Sequence, residues 1–126
     1  MAAKRILLVE DDEFLGRLLK EKFEQERFFV ALATSGQDAL NHLLRTPRPH
    51  LVVLDLILPG INGFEVLSRI RQSQDTDIAK LPVVVLSNLG SSSDIDRVKK
   101  MGVSDYLVKA LLTPAEVVEK ISRLLA

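Results

Sequence analysis

Leu51-Val52-Val53-Leu54-Asp55-Leu56-Ile57-Leu58-Pro59-Gly60 is the stretch that decides how this chain folds. Four apolar residues run unbroken into an aspartate. An uninterrupted run of this length suits a strand buried on both faces of a parallel sheet. Pro59 and Gly60 end it, since neither continues a central strand. Asp55 therefore stands at or just past the carboxyl end of a buried strand, the edge of an open α/β sheet where ligands bind. Alone, Asp55 reads equally well as a turn or capping carboxylate. The residues at the other strand ends decide between the two.

Similar runs recur on both sides. Ile6-Leu7-Leu8-Val9 reads as the first strand, Phe28 to Ala33 as the second, Val83-Val84-Val85-Leu86 as the fourth and Asp105-Tyr106-Leu107-Val108 as the fifth, with Leu51 to Asp55 the third. Helical spacing fills the intervals. Phe14, Leu15, Leu18, Leu19 and Phe23 form the first apolar stripe, and the acids before it suit the helix dipole. Ser35 caps a second helix that buries Ala39, Leu40, Leu43 and Leu44, and Pro47 and Pro49 end that unit. Asn62-Gly63-Phe64-Glu65 resembles a capping box ahead of Phe64, Leu67 and Ile70. Residues 72–81 are polar and read as a surface loop. Serines 91–93 offer caps for a fourth helix whose stripe (Ile95, Val98, Met101) is thin, a sign of weak anchoring. Gly102 breaks it. Thr113-Pro114-Ala115-Glu116 is a capping box with proline at the first helical position, and Val117, Val118, Ile121, Leu124 and Leu125 follow as a buried face. Five strands alternating with five helices imply an α/β, doubly wound parallel sheet in the order 2-1-3-4-5, with helices on both faces. With no linker, repeat or low-complexity segment, residues 1–126 read as a single domain with no output domain attached.

Composition narrows the function classes. Lys+Arg and Asp+Glu both number 17, so net charge favours no partner. There is no basic run beyond pairs and only 5% aromatic content, which is no footprint for nucleic acid. Cysteine is absent, so thiol chemistry is excluded. No apolar stretch approaches the ~20 residues that span a bilayer. Met1-Ala2-Ala3-Lys4-Arg5 leads straight into a strand and lacks a signal-peptide layout, so a cytoplasmic protein is expected.

The strand ends carry the chemistry. The first supplies Glu10, Asp11 and Asp12, the third Asp55, the fourth Ser87 and the fifth Lys109. In the order 2-1-3-4-5 these converge on one pocket. Clustered carboxylates raise one another's pKa unless a cation joins them. A hard divalent ion with oxygen ligands, Mg²⁺ in the cytoplasm, is the natural answer. A nucleophilic carboxylate with Mg²⁺, a lysine and a hydroxyl suits a phosphoryl group. The bland alternative is a set of solvated turn residues.

Taken in order, Ile6-Leu7-Leu8-Val9-Glu10-Asp11, Asp55 through Pro59 with Asn62-Gly63, Ser87 after an apolar strand, and Asp105-Tyr106-Leu107-Val108-Lys109 resemble the response regulator receiver domains of two-component signalling, of the chemotaxis-regulator type. The resemblance covers essentially the whole chain and implies a flavodoxin-like fold. It makes Asp55 the phosphoacceptor, Asp11 a direct Mg²⁺ ligand, Glu10 a ligand mainly through water, and the backbone carbonyl of Ile57 a further ligand. Ser87 matches the switch hydroxyl, Tyr106 the switch aromatic and Lys109 the lysine that contacts the phosphoryl group. Asp12 lies one place beyond the acidic pair and suits the helix start instead. The implied partners are a histidine kinase or phosphotransfer protein, and a downstream protein target on the face of the fourth helix, fifth strand and fifth helix. No direct nucleic-acid or membrane partner is implied. One departure stands out. The family usually has proline after the lysine, often through a cis peptide, whereas here Ala110 follows, and a non-proline cis bond costs about 2.5–4 kcal/mol. That loop is expected to be trans, more mobile or strained.

Two other classes compete. An aspartyl-phosphate phosphohydrolase typically has a second aspartate two residues after the nucleophile, and here that place holds Ile57, which argues against an enzyme. A phosphorylation-independent interaction module does not need the intact acid, serine and lysine set. His42 and His50 have no partners at metal-ligand spacing and read as surface residues, and Lys99-Lys100 as a solvated helix face.

Overall fold

In a computed structural model, which describes residues 3–126, the apolar run Leu51–Leu54 is strand β3, at the centre of a five-stranded parallel sheet. Met1 and Ala2, which open the stretch read as lacking a signal layout, lie outside the described residues. The elements in order are β1 (Arg5–Val9), α1 (Glu13–Gln25), β2 (Phe29–Ala33), α2 (Gly36–Leu43), β3 (Leu51–Leu54), α3 (Gly63–Arg71), α4 (Thr76–Ala79), β4 (Val83–Ser87), α5 (Ser92–Met101), β5 (Asp105–Val108) and α6 (Pro114–Leu125), with a 3₁₀ turn over Lys109–Leu111. The sheet order is β2-β1-β3-β4-β5, as the sequence implies.

Alternation along the strands builds two cores, one on each face of the sheet. Ile6, Leu8, Leu51, Val53, Val84 and Leu86 face α1 and α6, where Phe23 and Ile121 close the layer. Leu7, Val9, Val52, Leu54, Val83 and Val85 face α2, α3 and α5, with Leu43, Leu67, Ile70 and Val98 above them. Because both faces of β1, β3 and β4 are covered, these strands are apolar at nearly every residue.

Several sequence expectations need correcting. The polar segment 72–81 contains the one-turn helix α4, which Asp75 caps by accepting from Asp77 N and Ile78 N, and which buries Ile78. The expected fourth and fifth helices are therefore α5 and α6. Phe14 is 79% exposed. The α1 stripe is centred instead on Gly16, Leu19 and Phe23, with Leu15 and Leu18 half-buried, and Phe14 falls on the outer side. Leu44 lies at the C-cap of α2 and is exposed, as is Leu124 in the last turn of α6. Strand β2 starts at Phe29 and β3 stops at Leu54, one residue inside each expected end. Phe28 instead packs edge-to-face on Phe23, ring centroids 5.9 Å apart. At α3, Asn62 accepts from Glu65 N, but the Glu65 carboxylate pairs with Arg69 rather than closing a capping box. Val66 joins the buried face, while Phe64 is half-buried under the Arg97 guanidinium. The capping box at Thr113 and Glu116 is complete.

Candidate functional site

The acidic site grows out of the ladder that joins β1 to its neighbours. Beyond the last paired residues, Glu10 N donates to the Ala33 carbonyl at 2.9 Å and Asp55 N to the Val9 carbonyl at 3.1 Å. These two bonds hold Glu10 and Asp55 side by side just past the sheet edge. Glu10 is only 1% exposed and Asp55 4%. Asp11 is exposed, and one carboxylate oxygen from each of Glu10, Asp11 and Asp55 lies within 4.8 Å of the others.

From β5, Lys109 reaches into the group. Its Nζ sits 2.5 Å from Glu10 Oε1 and 2.6 Å from Asp55 Oδ2. The other oxygens are engaged as well: Ile57 N donates to Asp55 Oδ1 at 3.0 Å and Asp12 N to Glu10 Oε2 at 3.1 Å. Burial, the largest influence, pushes the Glu10 carboxyl above the ordinary range despite the bond from Lys109. For Lys109, burial is again the largest single influence and pulls downward. Its bonds to Asp55 and Glu10 together outweigh burial, and the ammonium is held above its usual range. Lys109 is therefore a fixed positive charge at neutral pH.

Gly63 explains how α3 comes so close to the acid. A Cβ at this position would lie 2.2 Å from the Asp55 carbonyl oxygen and 2.5 Å from Leu56 Cα, so any side chain would push the helix start away from the site. Gly63 N also donates to the Leu56 carbonyl at 3.0 Å.

Of the residues singled out in the sequence, Glu10, Asp11, Asp55 and Lys109 come together. Asp12 does not join them; it is the N-cap of α1 and accepts from Leu15 N at 3.1 Å. Ser87 is fully buried at the end of β4, where its hydroxyl accepts from Leu89 N at 3.4 Å. Tyr106 is half-buried and donates its hydroxyl to the Leu89 carbonyl. Ile57 engages Asp55 through its N–H, while its side chain is 52% exposed. The one cis peptide among the described residues is Thr46–Pro47, so Lys109–Ala110 is trans. The residues after Lys109 close a 3₁₀ turn through Leu112 N and the Lys109 carbonyl at 3.2 Å. Asn88 went unread in the sequence, although Ala110 N donates to its Oδ1 at 3.0 Å. The available signal was the alanine itself, whose N–H needs a partner that proline would not.

The family model described as response regulator receiver domain matches residues 6–122. This chain belongs to the response regulator receiver family. It is a receiver of two-component signalling, a phosphoacceptor module and not a classical enzyme. It is 40% identical over 104 residues to the transcriptional regulatory protein AfsQ1 of Streptomyces coelicolor, covering 82% of this chain and 44% of that protein. It is 36% identical over 122 residues to the transcriptional regulatory protein CssR of Bacillus subtilis, covering 95% of this chain and 50% of that one. The receiver thus spans about half the length of the curated relatives it matches. Among solved structures it resembles the Mn(2+)-bound form of response regulator Rcp1, with TM-score 0.86 and 31% identity over 97% of this chain and 94% of that one. The non-phosphorylated HemR receiver domain from Leptospira biflexa also gives 0.86, with 34% identity over 98% and 94%.

The donor set of this receiver fits a divalent cation. Three carboxylates and one ammonium leave an excess of negative charge, and all the ligand atoms are hard oxygens. No helix among the described residues is long and apolar enough to cross a membrane.

Proposed function

We propose that residues 1–126 act as one receiver unit in a cytoplasmic two-component or phosphorelay system. A histidine kinase or phosphotransfer protein supplies the phosphoryl group, and Asp55 takes it. The observation that carries this reading is the Lys109 ammonium bridging Asp55 and Glu10 at a sheet edge where Asp11 completes an acidic cluster.

Asp55 attacks the phosphorus of a phosphohistidine. An O–P bond forms, the N–P bond breaks, and the departing imidazole nitrogen keeps the electron pair and takes up a proton. The Ile57 N–H on Asp55 Oδ1 orients the attacking carboxylate. Lys109, already 2.6 Å from Oδ2, stands where charge gathers on the equatorial oxygens. Asp11, Asp55 and the Ile57 carbonyl would hold Mg²⁺, with Glu10 acting through water, and the ion when bound neutralises phosphoryl charge. Mn²⁺ in the Rcp1 structure supports a divalent ion here. Once the acyl phosphate forms, the Ser87 hydroxyl moves to it. Leu89 N is bonded to Ser87 and the Leu89 carbonyl to Tyr106, so the tyrosine follows the same loop. The surface of α5, β5 and α6 then shifts between two populated states and presents a changed face to a downstream protein.

The test is labelling by acetyl phosphate with Mg²⁺. Wild type is expected to hold a stable label and Asp55→Asn none, with the circular dichroism of the two matching. Label that persists in the variant and maps to another carboxylate overturns the assignment, and so does continuous turnover by wild type.

A further inference from the structure

Strands β4 and β5 end together, with Ser87 paired to Val108 as the last register pair. The next residue on each strand is Asn88 and Lys109. Here the two loops are tied: Ala110 N donates to Asn88 Oδ1 at 3.0 Å, a bond that exists only because residue 110 keeps its N–H. On the other side of Lys109, the Tyr106 hydroxyl donates to the Leu89 carbonyl. Residues 87–89 therefore grip β5 and its turn on both sides of Lys109. The 3₁₀ turn behind Lys109 is closed by the bond from Leu112 N to the Lys109 carbonyl. Lys109 hangs from this backbone on a flexible four-carbon stem, and its Nζ must meet two carboxylates at once. Where the backbone starts thus decides whether the ammonium reaches both.

We propose that Asn88 is a positioning residue for Lys109: its side-chain carbonyl, accepting from Ala110 N–H, holds the trans Lys109–Ala110 turn where Lys109 spans Glu10 and Asp55. Asn88 does this from the residue next to Ser87, so any movement of the Ser87 segment is transmitted to Lys109 through one bond. The importance of Lys109 rests on the reading of the site as a phosphoacceptor. The first readout is accordingly independent of phosphorylation.

That readout is nuclear magnetic resonance of the full chain without phosphodonor. In Asn88→Ala the Ala110 amide is expected to lose protection from hydrogen exchange, and the side-chain signals of Lys109 to shift. In Asn88→Asp, which keeps an acceptor oxygen, both are expected to stay near wild type. The second readout is the initial rate of labelling by acetyl phosphate at saturating Mg²⁺. Asn88→Ala is expected to slow it about fivefold, the scale of one net hydrogen bond. In an Ala110→Pro background, where the donor is already gone, the same change is expected to matter less than about twofold. An Ala110 amide that stays protected in Asn88→Ala, or Lys109 signals that do not move, overturns the proposal. So does an equal slowing in the proline background. If wild type takes no label while the resonance results hold, the positioning bond stands and the phosphoacceptor reading falls.

Discussion

Asp11 and Asp12 are adjacent in sequence, yet the structure separates them completely. Asp11 offers an oxygen to the cluster with Glu10 and Asp55, whereas Asp12 is turned into the first turn of α1 and bonded to Leu15 N. Asp11→Ala is therefore expected to weaken Mg²⁺ binding far more than Asp12→Ala. The Asp12 change should instead cost about 1 kcal/mol of stability as a lost cap. Metal titration and urea unfolding of both variants check this, and equal losses of metal affinity would mean the register is wrong by one residue. A second prediction concerns Ile57 and Leu89. Hydrolysis of an acyl phosphate needs a water aligned with the phosphorus. In the receiver family the residues two places after the acceptor and two places after the switch hydroxyl, which here correspond to Ile57 and Leu89, flank that path. Both are apolar, so neither orients a water. Positioned base or water assistance contributes on the order of 10²–10⁴ in rate, so self-dephosphorylation is expected to be slow. Loss of phosphate from purified phosphoprotein should be faster in Ile57→Asn/Leu89→Glu. Equal decay would show that these side chains do not control the lifetime.

Among the elements, the junctions matter more than the interiors. His50, just before β3, accepts from Arg5 N of β1 through Nδ1 at 2.8 Å. Burial first, and then the nearby charges of Arg5 and Lys4, hold its pKa below the ordinary value. The folded state thus prefers neutral His50, while the unfolded chain protonates near pH 6.5. Stability from this group is present above that pH and falls as acid titrates the unfolded form ahead of the folded one. The urea midpoint of wild type should therefore drop between pH 7.5 and 5.5 by more than that of His50→Asn, which retains an acceptor. Parallel curves would remove His50 from the account. Helix α5 is held just as locally. Val98 alone is fully buried, but at its C-terminal end Arg71 donates to the Gly102 carbonyl from both Nε and Nη2, at 3.1 and 2.7 Å. Nη1 of the same guanidinium reaches the carbonyls of Ala79 and Leu81. One side chain of α3 therefore joins α4, the turn at Leu81 ahead of β4 and the end of α5. The side-chain hydrogen bonds at the serine-rich start of α5, by contrast, link Ser91 to Ser93 and Asp94 within its own cap. Such asymmetry suits a helix whose free end changes position.

At the level of the whole molecule, two cores share one sheet. Leu8 faces the α1 and α6 side and Leu67 the α2, α3 and α5 side, and both are completely buried. Because β1 and β3 contribute to both faces, neither core survives loss of the other. Leu8→Ala and Leu67→Ala are each expected to cost about 2–5 kcal/mol and to leave a single transition by circular dichroism and by amide exchange. Two separable transitions in either variant would mean that the faces unfold independently.

The strands, their order and the residues at their carboxyl ends were legible in the sequence because each depends on local pattern: an apolar run, a breaker, and the polar residue between them. Asp55, Glu10, Asp11 and Lys109 were found this way, since topology alone brings those strand ends to one edge. Tertiary structure decided what local pattern does not encode. Phe14, Leu44 and Leu124 fit a helical stripe but lie outside the width that the sheet covers, and only the packed neighbours set that width. The trans turn after Lys109 and its bond to Asn88 depend on two loops that meet only when β4 pairs with β5. Lys109 bridges Glu10 as well as Asp55 because the ladder past β1 sets those two carboxylates side by side, and hydrogen bonds between distant strands, rather than the order of residues along the chain, fix that spacing.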